Sequence, residues 1–457
     1  MPSHSADIIK NLPKPLIIDH SRALIHQGIQ DKHIIVLDDD PTGCQTVHGI
    51  HVLLQWDEPT LKKAIENYGS FYILHNTRSL TSKEAFNLNL EISNSLLKLA
   101  PKEKLTIISR SDSTLRGHFI PEISALKKTT GPFDGILVVP YFKEGGRLTI
   151  NNEHFVDNGQ IIVPASETEF ANDPVFGFST SNLPDWIEEK TKGKTKSQEV
   201  LSISLHDIRI GGIENVKRLL SSCSDERYIV VNATQDEDLD VLIHALLEIE
   251  KEGKRFLIRS AASLVKVILG LEDIPLWKPG KKGNTGVIIA GSHVKKTSEQ
   301  LKMLMESHDL NPVVLSIDLI LHDKSYFQKC IKIINQSLDE DKTVLIYTER
   351  KYQLSGSDQD RLNYGRKISD FLSGLINNIE NEPDFIVAKG GITSNDVAKY
   401  GLEIVDAEVL GQIQPGIPVW QPGPESKFPN CMYIVFPGNV GNVYTLKNVY
   451  EILTTTT

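Results

Sequence analysis

Cysteine is scarce in this chain. Its 457 residues include four, Cys44, Cys223, Cys330 and Cys431, all far apart and none in a Cys-x-x-Cys pair. That spacing suggests neither a zinc cluster nor a disulfide framework, and free thiols in a reducing compartment are expected. Long apolar runs are missing too. No stretch approaches the roughly 20 residues needed to cross a bilayer. The first thirty residues carry neither a secretory apolar core nor the arginine bias of a transit peptide. A soluble, cytoplasmic protein is expected. Positive charge is also short, with a formal net charge of −10. This argues against a nucleic-acid surface and against an anionic membrane as partner. Two phosphate-binding signatures are absent: no segment spells G-x-x-x-x-G-K-[ST] and none spells G-x-G-x-x-G.

What is present is an ordinary globular composition, 40% hydrophobic and 24% charged, with short apolar runs alternating with helical periodicity. Runs at 34–37, 51–54, 71–75, 105–108, 135–139, 200–205, 228–232 and 256–260 read as strands. Helices are expected between them, one near 60–68 and one capped by Ser82 with Ala85, Leu88, Ile92, Leu96 and Leu99 on its apolar face. Strands alternating with helices, with polar loops at the strand ends, predict an α/β fold with mostly parallel sheets flanked by helices. Asn158-Gly159 is expected to turn a β-hairpin over 155–162. Residues 1–30 read as an arm with helical pieces. The Pro- and Gly-rich stretch 272–286 reads as a linker between two domains.

The most informative stretch is His33-Ile34-Ile35-Val36-Leu37-Asp38-Asp39-Asp40-Pro41-Thr42-Gly43. An apolar run with no polar alternation is a strand buried on both faces. Three carboxylates follow at its end, where ligands bind in open α/β sheets. Adjacent carboxylates repel one another and persist only if exposed, metal-bound or paired with cations. The strand at 105–108 runs into a second polar segment, Ser109-Arg110-Ser111-Asp112-Ser113-Thr114-Leu115-Arg116-Gly117-His118. Its hydroxyls and paired arginines suit an anion pocket, because guanidinium forks pair with carboxylates and phosphates. Two further strand ends are polar in the same way, Asn76-Thr77-Arg78-Ser79 and Lys143-Glu144-Gly145-Gly146-Arg147.

The second half repeats one arrangement three times: an apolar run, a small-residue turn, a helix. The turns are Gly291-Ser292-His293, Gly390-Gly391-Ile392-Thr393-Ser394 and Pro437-Gly438-Asn439-Val440-Gly441-Asn442. Small residues let backbone N–H groups approach an anion, and a helix start adds favourable partial charge. Three such turns in one domain point to a phosphate-bearing ligand.

These motifs, in this order, resemble the four-carbon acid sugar kinase family, over residues 33–450. The family's Asp-Asp-x-Thr-Gly is matched by Asp39-Asp40-Pro41-Thr42-Gly43. Its Asp-Ser-Thr-Leu-Arg-Gly is matched by Asp112 to Gly117, and its Gly-Arg loop by Gly146-Arg147. The Gly-Ser, Gly-Gly-x-Thr and Gly-Asn-x-Gly turns are matched by Gly291-Ser292, by Gly390-Gly391-Ile392-Thr393 and by Gly438-Asn439-Val440-Gly441. His293 and Val294 depart from the common first turn, and Phe436-Pro437 from the common last one, which marks a divergent branch.

The resemblance implies a sugar-acid-binding domain over 31–272, a linker over 273–285 and a nucleotide-binding domain over 286–457, with the ligand site in the cleft between them. It implies ATP and Mg²⁺ as cofactors and a small sugar acid as substrate, and a homodimer is compatible with it. ATP is then expected at Ser292, His293, Gly390, Gly391, Ile392, Thr393, Gly438, Asn439 and Gly441. The sugar acid is expected at Thr42, Gly43, Arg78, Arg110, Asp112, Ser113, Arg116, Gly117 and Arg147. Its carboxylate would lie against Arg116, with Arg110, Arg78 and Arg147 as further candidates. Asp39 and Asp40 are the expected catalytic pair, one orienting the terminal hydroxyl and the other holding metal. Two rival readings remain. Asp38-x-Asp40-x-Thr42 also fits a haloacid-dehalogenase-type phosphatase with Asp38 as nucleophile. The altered turns also fit a nucleotide or metabolite sensor without turnover.

Overall fold

In a computed structural model the described residues are 3–4, 9–157, 159, 161–291, 295–349, 358–438 and 440–454. The chain divides into two compact units: Met1–Val47 with Trp56–Asp273, and His48–Gln55 with Ile274–Thr457.

The first unit is built on a parallel sheet in the order Leu201–Ile203, Arg227–Val231, Gly135–Val139, Phe256–Ser260, Leu105–Arg110, His33–Asp38, Phe71–Leu74. Strands of this sheet are buried along their length because helices cover both faces. Gly135–Val139, Phe256–Ser260 and Phe71–Leu74 are buried at every position. Parallel strands put their C-terminal ends on one edge. Asp38 lies opposite both Leu74 and Arg110, and Arg110 lies opposite Ser260.

The helix Ser82–Leu99 is capped by Thr81 rather than Ser82. Thr81 and Glu84 form a reciprocal capping box that Ser82 is one position too late to make. A smaller antiparallel sheet orders Ser3–His4, Ile161–Pro164, Glu153–Asp157 and Arg147–Ile150. It contains the expected hairpin, although Asn158 and Gln160 lie outside the described residues. The arm is tied down by the helix Ser21–Gly28: Arg22 Nε lies 2.9 Å from Asp240 Oδ1, and Ser21 Oγ lies 3.0 Å from His244 Nε2.

The second unit has parallel strands ordered Met432–Phe436, Phe385–Lys389, Gly286–Ala290, Val344–Thr348, Asn311–Leu315. Three antiparallel strands extend the sheet: Ile417–Pro422, Asp406–Gln414 and Ile50–Leu53. Ile50–Leu53 was expected in the first domain and instead pairs with Asp406–Gln414. A strand's local pattern does not name its pairing partner, so the sequence reading missed this. The stretch read as a linker lies against the second unit, with Trp277 N donating to Gln412 O at 2.7 Å and Gly283 N to Leu453 O at 2.8 Å. Phe385, Ile288, Val387 and Ile434, all fully buried, centre that unit's core.

Candidate active site

The first unit concentrates its charge at the sheet edge just described. Asp38 is the last residue of its strand, and Arg110 Nη1 donates to Asp38 Oδ1 at 3.0 Å. Asp39 is wholly enclosed. Ser111 Oγ donates to its Oδ2 at 2.7 Å, while Arg78 Nε and Arg110 Nη1 stand 3.6 and 3.7 Å from its Oδ1. Asp40 is the most open of the three, at 16% side-chain exposure. Arg78 Nη2 pairs with it, and the Thr42 amide donates to its Oδ1 at 2.8 Å, as does the Thr42 hydroxyl. Arg78 also reaches Asp112 at 3.7 Å, and Arg116 Nε donates to Asp112 Oδ2 at 2.7 Å.

Each acid responds differently to this crowd. Burial pushes Asp38 up to about 7, against the pull of Arg110 and with help from the neighbouring Asp39 and Asp40. Burial likewise raises Asp39. For Asp40 burial is outweighed by Arg78, the Thr42 hydroxyl and Arg110, so its carboxyl sits below its ordinary value. Asp112 is held well below the usual carboxylate range because Arg116 and Arg78 outweigh its burial.

Two glycines make the packing possible. A Cβ on Gly43 would stand 1.8 Å from Asp38 Oδ2. Gly117 has φ +113°, and a Cβ there would stand 2.7 Å from Ser111 Oγ and 2.9 Å from Asp39 Oδ2. Ser113 contributes its carbonyl to His154 Nε2 at 2.7 Å. Burial lowers His154 to about 4, so it is a neutral brace near neutral pH. Arg147 stands at the start of the small sheet beside Arg116: their guanidinium carbons lie 5.6 and 4.9 Å from the centre of the Phe170 ring.

Sequence reasoning missed part of this cluster. Arg259, in the run 256–260, pairs with the fully buried Glu122 and donates to Ser109 Oγ at 2.5 Å. Glu122 also accepts from Thr77 Oγ1 at 2.6 Å. The available signal was a charge inside an apolar strand and another on an apolar helix face. Each must find a partner when buried. Ser111, Asp112, Arg116, Arg259, Ser260 and Trp186 line a small cavity next to the acids.

The second unit brings its turns to one edge as well, because Ala290, Lys389 and Phe436 lie side by side in register. Gly390 has φ +108°, and its N–H donates to Phe436 O at 2.8 Å. The helix expected near Asn395 begins at Gly391, so Gly391, Ile392 and Thr393 form its first turn. Ile392 is 66% exposed and Thr393 is buried. Gly441 has φ +78°, and a Cβ on Gly438 would meet nothing within 4 Å among the described residues. Ser292, His293, Val294 and Asn439 lie outside the described residues. Beneath these turns Lys389, unmarked by any motif, is fully buried. Its Nζ is 3.3 Å from Pro437 O and 4.0 Å from the centre of the Phe436 ring.

No helix among the described residues is long and apolar enough to cross a membrane. Among them, too, no group of three His, Cys, Asp or Glu side chains is arranged to hold a metal ion.

Comparison with known proteins agrees with this layout. Residues 34–268 match the sugar-binding N-terminal domain family and residues 287–446 the nucleotide-binding C-terminal domain family. A D-erythronate kinase of Heliobacterium modesticaldum is 24% identical over 290 residues, a match spanning 60% of this chain and 61% of that one. Two solved structures share the fold. A Haemophilus influenzae protein has a TM-score of 0.64 at 19% identity, covering 92% of this chain and 100% of its own. A Salmonella typhimurium protein provisionally described as a tRNA synthase has a TM-score of 0.67 at 16% identity, covering 93% and 100%. With both halves matched in order, the chain belongs to the four-carbon acid sugar kinase family, whose members join a sugar-binding N-terminal domain to a nucleotide-binding C-terminal one.

Proposed function

We propose that this chain is an ATP-dependent kinase that phosphorylates the terminal hydroxyl of a four-carbon sugar acid of the threonate, erythronate or 3-oxo-tetronate type. The observation that carries the reading is the acid–arginine cluster at the ends of His33–Asp38 and Leu105–Arg110. It lies within the segment matched by a sugar-binding family, in a chain with a D-erythronate kinase relative. Phosphoryl transfer asks little covalent chemistry of a protein and much positioning and charge neutralisation.

In this reading Asp40 meets the reacting hydroxyl, because it is the most open of the three acids and is held ionised by Arg78. It orients the hydroxyl and accepts its proton as transfer proceeds. A strongly basic group is not required when the transition state is loose. Asp39 is a positioning residue, enclosed and bonded to Ser111, that holds Arg78 and Arg110 in place. The sugar acid's hydroxyls meet the Asp112–Gly117 loop and the turn at Thr42 and Gly43.

The nucleotide's phosphates lie at the second unit's turns, against Gly390, Gly391, Ile392, Thr393, Gly438 and Gly441, together with Ser292, His293 and Asn439. Two features fit an anion there: Gly438, where no described residue would meet an added Cβ, and the Lys389 ammonium buried against Pro437 O. Mg²⁺ bound to the nucleotide would neutralise phosphate charge without a dedicated protein cage.

The phosphatase reading needs Asp38 to attack phosphorus. Asp38 is 2% exposed and paired with Arg110, so its oxygens face the protein interior. The deciding experiment is ADP release from Mg-ATP with a panel of four-carbon acids, beside Asp40→Asn. Turnover that depends on the acid and is lost in the variant is expected. ATP binding with no turnover on any acid would favour a sensor.

A further inference from the structure

The geometry points to Arg147, rather than Arg116, as the guanidinium that receives the sugar acid's carboxylate, and so as the residue that selects acids over neutral polyols. The inference rests on the kinase reading for the ligand's identity, but its argument is a census of charge. Arg110 is paired with Asp38 and Asp39, and Arg78 with Asp39, Asp40 and Asp112. Arg116 is paired with Asp112 and reaches Asp173 at 3.9 Å, and Arg259 is paired with Glu122. An arginine whose charge is already offset by a carboxylate gains less from a further one than an arginine with no such pair.

Among the described residues Arg147 has no carboxylate within ion-pair distance. Its Nη1 donates to the Gly145 carbonyl, and its enclosed Nε has no acceptor. A shielded guanidinium with no carboxylate in ion-pair contact is costly, Asp112 and Glu169 acting on it only from longer range, and an incoming carboxylate would relieve that cost.

The chain also fixes where this cation stands. Arg147 and Phe142 exchange backbone hydrogen bonds of 2.8 and 3.1 Å, closing the turn 143–146. Gly146 sits at φ +65°, with Asp157 O only 2.3 Å from where a Cβ would be. The Phe170 ring lies under both Arg147 and Arg116. Arg147 is thereby held beside the Asp112–Gly117 loop, an open cation next to a neutralised one. A carboxylate docked on Arg147 would leave the ligand's hydroxyl chain to the Thr42 and Asp112 side of the site.

The test is calorimetric titration of the full chain with D-erythronate and with erythritol, the four-carbon polyol lacking the carboxylate. Arg147→Gln should weaken erythronate on the order of 30-fold, the scale of a charged hydrogen bond, while erythritol changes less than twofold. Arg147→Lys should recover part of the erythronate loss, because it restores charge without the fork. It also serves as the assay if the Gln variant does not fold. The inference is overturned if erythronate binds the wild type and Arg147→Gln within threefold, or, where that variant does not fold, if it binds the wild type and Arg147→Lys equally. It is equally overturned if both ligands weaken together, or if the wild type binds no four-carbon acid. Arg147-dependent binding without ADP release from Mg-ATP would uphold the inference and overturn the kinase reading alone.

Discussion

At the end of His33–Asp38 three consecutive carboxylates lie among arginines, each held by several partners. At the end of Phe385–Lys389 one lysine lies beneath glycines, and the turns above it are mostly backbone. In the proposed reading the first unit would recognise its ligand with side-chain charge and the second with main-chain groups. Side-chain sites of this kind are specific and fragile. Removing one member strands its partner in a low-dielectric interior, where an unpaired charge costs far more than the pair gained. Backbone sites tolerate side-chain change outside the glycines.

The contrast can be broken, most sharply at Asp40. Asp40→Asn should lower kcat on the order of 10³-fold, the scale of a positioned acid–base group, as read by ADP release with the acid present. An effect below tenfold would remove Asp40 from the chemistry. Next in size is Gly43→Ala, whose Cβ would stand 1.8 Å from the Asp38 carboxylate. Urea unfolding should show a loss of about 3 kcal/mol, and a near-neutral result would mean the Asp38–Arg110 pair is looser than it looks.

Asp38 adds a pH signature. Its folded-state pKa of about 7 lies above the unfolded value near 3.8. Its contribution to stability is therefore complete below about pH 4 and is lost as pH rises through 7. Asp40 and Asp112 act in the opposite sense. Their lowered values contribute above the ordinary carboxylate range and fade as pH falls through it. Asp38→Asn isolates the first effect: the stability of wild type relative to the variant should fall between pH 4 and 7, by about 4 kcal/mol, as read by urea unfolding at each pH. A flat difference would place Asp38 ionised throughout. The smallest effect on stability is expected at Gly438→Ala, within about 0.5 kcal/mol, because no described residue lies within 4 Å of the added methyl. Nucleotide affinity, measured by titration with ATP, should fall severalfold. An unchanged affinity would move the phosphates away from this turn.

The elements of both sites were legible where strand pattern and loop chemistry are local. Asp39, Asp40, Arg78, Arg110, Asp112 and Arg116 all sit at or just beyond the ends of apolar runs, and parallel strands gather such ends on one edge. Arg259 and Glu122 were not legible as a pair, because 137 positions separate them and neither belongs to a motif. Lys389 was passed over because a lysine ending an apolar strand usually reaches solvent, and only packing shows that this one does not. The strand Ile50–Leu53 was recognisable as a strand, but not as a member of the second sheet.

By itself the sequence determined the α/β class, the order of strands and helices and the placing of acids and arginines at strand ends, because apolar periodicity and turn residues act over a few positions. Only the tertiary structure decided which charges pair, which of three adjacent carboxylates is held below its ordinary pKa, and which arginine of the cluster has, among the described residues, no carboxylate within ion-pair distance. Those outcomes depend on burial and on distances of a few ångströms between residues far apart in the chain. Local pattern carries neither.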